Sequence, residues 1–180
     1  MFNVTMVPAR LRRVALKLED DDDGETVRLC ECTFRVPALT SDLAQATTVP
    51  IAAHCFDRAG LPLWGVKEVR FTPPEETYEV ALHSAPDMPG SRVMLGEAAV
   101  IKIRVWRPKE TDRNLALEVT TQHALARGDA ADLGDIIAVW VDGETLLTFT
   151  AMQRDLPLVA DDGAANDAPT PKAKGGARAH

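Results

Sequence analysis

The sequence predicts a mainly β fold, an antiparallel sandwich or barrel of about eight or nine short strands with one or two short helices. Three observations carry that expectation. Apolar residues alternate with polar ones in run after run, the period-two signature of strands with one buried face. The runs are short and are separated by Gly, Pro, Asp and Asn. Three of the links between them have hairpin character, the strongest being Asp142-Gly143, since both residues readily take the positive φ of a tight turn.

That last link joins Ile136–Val141 to Thr145–Met152. A two-residue turn puts Ile136, Ala138 and Trp140 on one face with Leu147, Phe149 and Ala151. A three-residue loop that includes Glu144 instead sets Val139 and Ile137 beside Leu147 and Phe149, because a one-residue slip turns every side chain over. In either register Ile136–Val141 is apolar on both faces, which predicts an interior strand covered on both sides.

The first hairpin pairs Val4–Leu18, where Val14, Leu16 and Leu18 share a side, with Glu25–Val36, where Cys30, Cys32, Phe34 and Val36 do. Glu19–Gly24 is its polar tip, and Pro37 ends it. Thr40-Ser41-Asp42 caps a helix of one or two turns. Thr48–Phe56 alternates through Val49, Ile51, Ala53 and Cys55, an extended run that Pro50 marks as an edge. Asp57–Gly60 is a turn, and Leu61–Thr72 is extended up to Pro73-Pro74. Thr77–His83 is a strand with Tyr78, Val80 and Leu82 inward. Ser84–Gly96 reads as a long loop. In the third hairpin, Val100, Lys102, Arg104 and Trp106 share a face, and Leu115, Leu117 and Val119 answer the strand across Arg107–Asn114. Gln122–Leu133 reads as a short helix interrupted by Gly128.

At 180 residues and 46% apolar composition, the chain supports a single β-rich domain over residues 1–156. Residues 157–180 form a flexible Ala/Pro/Gly-rich tail, too poor in apolar side chains to order itself. No apolar run approaches a membrane span, and no secretory h-region opens the chain. Cys30, Cys32 and Cys55 do not make a disulfide framework, so free thiols in a reducing, cytoplasmic setting are expected.

The function classes narrow mostly by exclusion. The chain has no Gly-rich phosphate loop, nucleophile elbow or dinucleotide fingerprint, and nothing pairs two carboxylates for acid–base work. Cys55 has no local signature joining it to His83 or His123 as a nucleophile–base pair. Glu19–Asp23 begins like a calcium loop, but Cys30 stands where the bidentate Glu is needed. Cys30-Glu31-Cys32 is not a two-residue-spaced metal knuckle, and on an extended run His54 and Cys55 point apart. Neither an enzyme nor a cofactor or metal is expected.

The remaining reading is a non-enzymatic protein-interaction or assembly module, meeting a protein partner or a second copy through its polar hairpin tips. The alternative is a single-stranded nucleic-acid binder. Lys102, Arg104 and Trp106, followed by Arg107 and Lys109, would line a strand face on which bases stack while cations follow phosphates. Arg10, Arg12 and Arg13 form a second basic cluster that could meet phosphate or an acidic partner. The formal net charge of −7 favours the first reading.

Overall fold

The computed structural model describes residues 4–20, 24, 26–47, 49–83, 92–109, 114–125 and 143–152. Seven strands and two short helices follow in the order β1 (Val4–Asp20), β2 (Thr26–Leu39), α1 (Ser41–Gln45), α2 (Ile51–Cys55), β3 (Glu68–Phe71), β4 (Thr77–His83), β5 (Arg92–Trp106), β6 (Leu115–Leu125) and β7 (Thr145–Ala151). Every ladder among them is antiparallel, as the alternating runs predict.

The ladders close on themselves. β1 pairs with β2, β2 with β6, β6 with β5, β5 with β4, β4 with β7, and β7 returns to β1. Of the sandwich and the barrel, the ring of pairings is that of a six-stranded barrel. β3 extends it, pairing Glu68–Phe71 with the Ile103–Trp106 half of β5. Closure removes most free sheet edges, the sites where β proteins otherwise pair with other chains.

Cross-strand pairs share a face, so the register sorts the core by rows. Leu11, Phe34, Val119 and Ile103 form one inward row across β1, β2, β6 and β5. Phe149 lies opposite Val4 on one side and Val80 on the other. Its ring meets Phe34 edge to face at 6.3 Å and Tyr78 at 6.1 Å. Tyr78 is fully buried, yet its hydroxyl donates to Glu76 Oε2 at 2.7 Å, which satisfies the polar tip and holds that carboxyl below the ordinary carboxylate range. The inward face of Leu147, Phe149 and Ala151 stands as read from the sequence, with the first two buried and Ala151 packed against them. Ile136–Val141 lies outside the described residues, as do residues 84–91, 126–135 and the tail over 157–180.

Several expected elements differ. Among the described residues the strands run longer than the alternation suggested: β5 begins at Arg92 within the expected Ser84–Gly96 loop. β6 runs on through Gln122–Leu125, where a helix was expected. Pro37 does not end β2. Pro37 and Ala38 are set outward at an irregularity between Val36 and Leu39, and Leu39 still pairs with Leu115. Thr48–Phe56 is not an extended edge: α2 occupies Ile51–Cys55 and Pro50 is its N-cap. Ile51 and Cys55 satisfy both period two and the i, i+4 spacing of a helix face, and burial of both decides for the helix. Of Leu61–Thr72, only Glu68–Phe71 is strand. The helix capped by Thr40 is present as α1, with the Thr40 hydroxyl accepting from Leu43 N at 3.3 Å.

The segment from α1 to β3 contributes Ala44, Ile51, Cys55 and Phe56 to the core, at the end where β2 stops and β3 joins β5. At the other end the β1–β2 hairpin runs on past the barrel. There Leu16 is 57% and Leu18 69% exposed, although they continue the inward row. No helix among the described residues is long and apolar enough to cross a membrane.

Candidate functional site

The sequence points first to Lys102, Arg104 and Trp106. The structure places all three on the outer face of β5, reached through a bulge. Val100 pairs with Thr121 and Lys102 with Thr120, so Ile101 is the extra residue and the alternation reverses there. Val100 therefore faces the core and does not share the basic face, as the unbroken alternation had it.

On that outer face one row runs Arg10, Arg35, Glu118, Arg104 and Arg70 across five strands. The next carries Arg13, Thr33, Thr120 and Lys102. The two basic clusters, far apart in sequence, thus belong to one sheet surface. Arg12 falls at the irregularity between Leu11 and Arg13 and pairs with no residue of β2. Arg107 turns away, donating to Leu63 O at 2.8 Å and Val66 O at 3.4 Å, and Lys109 follows it, exposed.

The surface is neutralised from within. Glu118 Oε2 accepts from Arg104 Nη2 at 3.0 Å, and its Oε1 lies 3.6 Å from Lys102 Nζ. Glu68 lies 3.7 Å from Arg104 and 3.1 Å from Arg70. Arg10 meets Glu144 at 2.7 Å, and Lys17 meets Glu31. Two guanidiniums lie over the Trp106 ring, that of Arg35 at 4.9 Å and that of Arg104 at 4.6 Å. The Nε atoms of both arginines are buried without a hydrogen-bond partner. The negative face of the indole compensates them in part. Trp106 therefore serves its own neighbours before any base.

A different surface was not legible as a site. Asp57 Oδ1 accepts from Ala59 N at 2.8 Å and Leu61 N at 2.9 Å, an Asx turn. Gly60 closes it at φ +75°, where a Cβ would come within 2.7 Å of Ser41 Oγ. The turn delivers Leu61, Leu63 and Trp64 to solvent, Leu61 62% and Trp64 85% exposed. The loop is held at both ends: Leu63 N donates to Cys55 O at 2.9 Å, Val66 N to Leu63 O at 3.2 Å, and the Arg107 guanidinium lies 5.8 Å over the Trp64 ring. Alternation had spread these side chains along a strand; the turn gathers them.

The third group is buried. Cys30 and Cys32, two apart on β2, point to the same side, and β6 sets His123 opposite Cys30 and Thr121 opposite Cys32. The two Sγ atoms are 3.8 Å apart, and both lie with a His123 ring nitrogen inside a span of 4.8 Å. A hydrogen bond from Cys32 holds the Cys30 thiol below its ordinary range, and the same bond, with burial, pushes Cys32 up. The same-face spacing of Cys30 and Cys32 was readable. The arrival of His123 was not, because it depends on β6 being strand as far as Leu125.

Cys55 stands apart on α2, fully buried, and burial pushes its thiol up to about 11. It is expected to resist iodoacetamide at pH 8 in the folded protein and to react fully in denaturant, read by mass spectrometry. Rapid labelling of folded protein at Cys55 would contradict its placement. His54 is exposed on the same helix, its Nδ1 2.8 Å from Pro50 O and its ring against Phe71.

Comparison of the chain with protein-family models, with curated proteins and with solved structures gives no match, so the reading of function rests on these side chains alone.

Proposed function

We propose that the protein is a non-enzymatic interaction or assembly module that meets a protein partner, or a second copy of itself, through the Leu61–Trp64 loop. The observation that carries this reading is the display of Leu61, Leu63 and Trp64 on a loop whose backbone is already fixed by hydrogen bonds. Anchors of interfaces are characteristically large aromatic side chains that lose little freedom on binding. The polar hairpin tips expected to make the contact lie largely outside the described residues, and the apolar loop is the described surface that supports the reading. A cytoplasmic setting goes with this reading, since Cys30, Cys32 and Cys55 are free, buried thiols.

The test is sedimentation equilibrium of the purified chain over a wide concentration range, with Leu61→Ser/Trp64→Ser beside it. Reversible association of the parent, weakened about thirtyfold in the double variant, is expected for loss of a central anchor worth ~2 kcal/mol. Association equal in both proteins would remove the loop from the interface. A parent monomeric at every concentration would remove self-assembly and leave only a different protein as partner.

A further inference from the structure

We propose that Cys30, Cys32 and His123 form a binding site for a thiophilic divalent metal ion of the zinc class, inside the barrel at its hairpin end. The inference is independent of the loop described above, since it concerns the opposite end of β2 and a different chemistry.

Geometry comes first. Two thiolates bound at about 2.3 Å to one tetrahedral zinc ion stand about 3.8 Å apart. Cys30 and Cys32 Sγ are separated by 3.8 Å. A sulfur and an imidazole nitrogen on the same ion stand about 3.6 Å apart. All three candidate atoms lie within 4.8 Å of one another, so a shift of about 1 Å in the imidazole brings the set to bonding distance. The placement follows from β structure: residues i and i+2 present both sulfurs on one face, and the neighbouring strand supplies the nitrogen in register.

Charge selects the ion. Cys30 and Cys32 have no exposure and His123 almost none. Two thiolates, a neutral imidazole and one water in the fourth position around a divalent cation sum to zero, so the loaded centre leaves no uncompensated charge in an apolar interior. A monovalent ion would leave one negative charge there, and a hard cation such as Mg²⁺ prefers oxygen ligands. On binding, each thiol yields its proton to solvent.

Access follows from the register. The row that holds Cys30 and His123 continues on β1 at Leu16, which is largely exposed, so the cluster sits one strand from the surface. The ion would fasten β2 to β6, adding a coordinate bond set where the barrel gives way to the free hairpin.

The experiment uses the full chain, reduced and stripped with chelator, titrated with Co²⁺ under anaerobic conditions and then with Zn²⁺. One equivalent of Co²⁺ is expected to give thiolate charge transfer and the intense ligand-field bands of a tetrahedral site, both abolished by one equivalent of Zn²⁺. Cys30→Ser, Cys32→Ser and His123→Gln should each weaken binding at least tenfold, and Cys55→Ser should leave it unchanged. X-ray absorption of the Zn²⁺-loaded parent needs no variant to fold, and should show two sulfur scatterers at about 2.3 Å with imidazole nitrogen at about 2.0–2.1 Å. A shell of nitrogen and oxygen alone, weak octahedral Co²⁺ bands, or binding that survives Cys30→Ser would overturn the site. So would a chain that takes no metal and instead loses two thiols by closing Cys30 to Cys32 in air.

Discussion

Replacing Phe149 by alanine is expected to lower the unfolding free energy by about 3–5 kcal/mol, the largest single effect anticipated in this protein. Phe149 is 1% exposed and stands on β7, between β1 and β4. Its ring is the shared member of two edge-to-face contacts, so its loss opens a cavity between Phe34 and Tyr78 and weakens both. A domain of this size is stable by roughly 5–15 kcal/mol, so the substitution removes about a fifth of that margin or more. Urea unfolding followed by circular dichroism measures the change, with Phe149→Leu as the smaller step. A loss under about 1 kcal/mol for the alanine variant would mean that β7 does not seal the barrel as described.

The second large effect is expected from Glu118→Ala, at about 2 kcal/mol. Exposed ion pairs contribute about 0–1 kcal/mol and breaking a buried one costs about 3–5. The Glu118 side chain retains 14% of its accessible surface and Arg104 27%, between those limits and nearer the buried one. Removing the carboxylate leaves Arg104 in a row between Arg35 and Arg70, with Glu68 on the β3 side as its remaining acidic partner among the described residues. Glu144→Ala is the contrast: its pair with Arg10 is 2.7 Å long, but both side chains are more than half exposed, and the expected loss is under about 0.5 kcal/mol. If the two variants cost the same, the Glu118 network is no more than surface charge. The same variant tests the cation–indole face. Fluorescence anisotropy with labelled single-stranded DNA at low salt should show binding gained, or strengthened, in Glu118→Ala relative to the parent, because the internal counter-charge is gone.

The fold class was legible because stretches of inward residues alternate in the sequence, Cys30 to Val36 on β2, Tyr78 to Leu82 on β4 and Leu147 to Ala151 on β7. What defeated the reading was short-range ambiguity. Ile51 and Cys55 satisfy two periods at once, and five residues are too few to separate them. One bulged residue, Ile101, reverses a strand's faces, which is why Val100 was grouped with Lys102. Gln122–Leu133 was read as a short helix in spite of Gly128, and its described part, Gln122–Leu125, is strand.

The candidate sites divide on the same physical line. Lys102, Arg104 and Trp106 were visible because they lie on one strand. Their link to Arg10, Arg13 and Arg35 was not, since it is made by register between strands remote in sequence. Leu61 and Leu63 alternate by spacing and Trp64 adjoins Leu63, and only the turn at Asp57–Gly60 shows that they gather in solvent. His123 reaches Cys30 across the β2–β6 ladder, a pairing that no local pattern encodes.

The pairing of β1 with β7 sets a condition on the protein's birth. Val4 meets Phe149, and Ala9 meets Thr145. A chain emerging from the ribosome at about 5–20 residues per second waits on the order of ten seconds between making the first strand and making the strand that holds it. During that interval the nascent β1–β2 hairpin presents Leu11, Val14 and Phe34 without the strand that covers them. The newborn polypeptide is therefore most exposed to misassociation before its last described strand is translated, and a chain arrested short of Thr145 has no closed form to adopt.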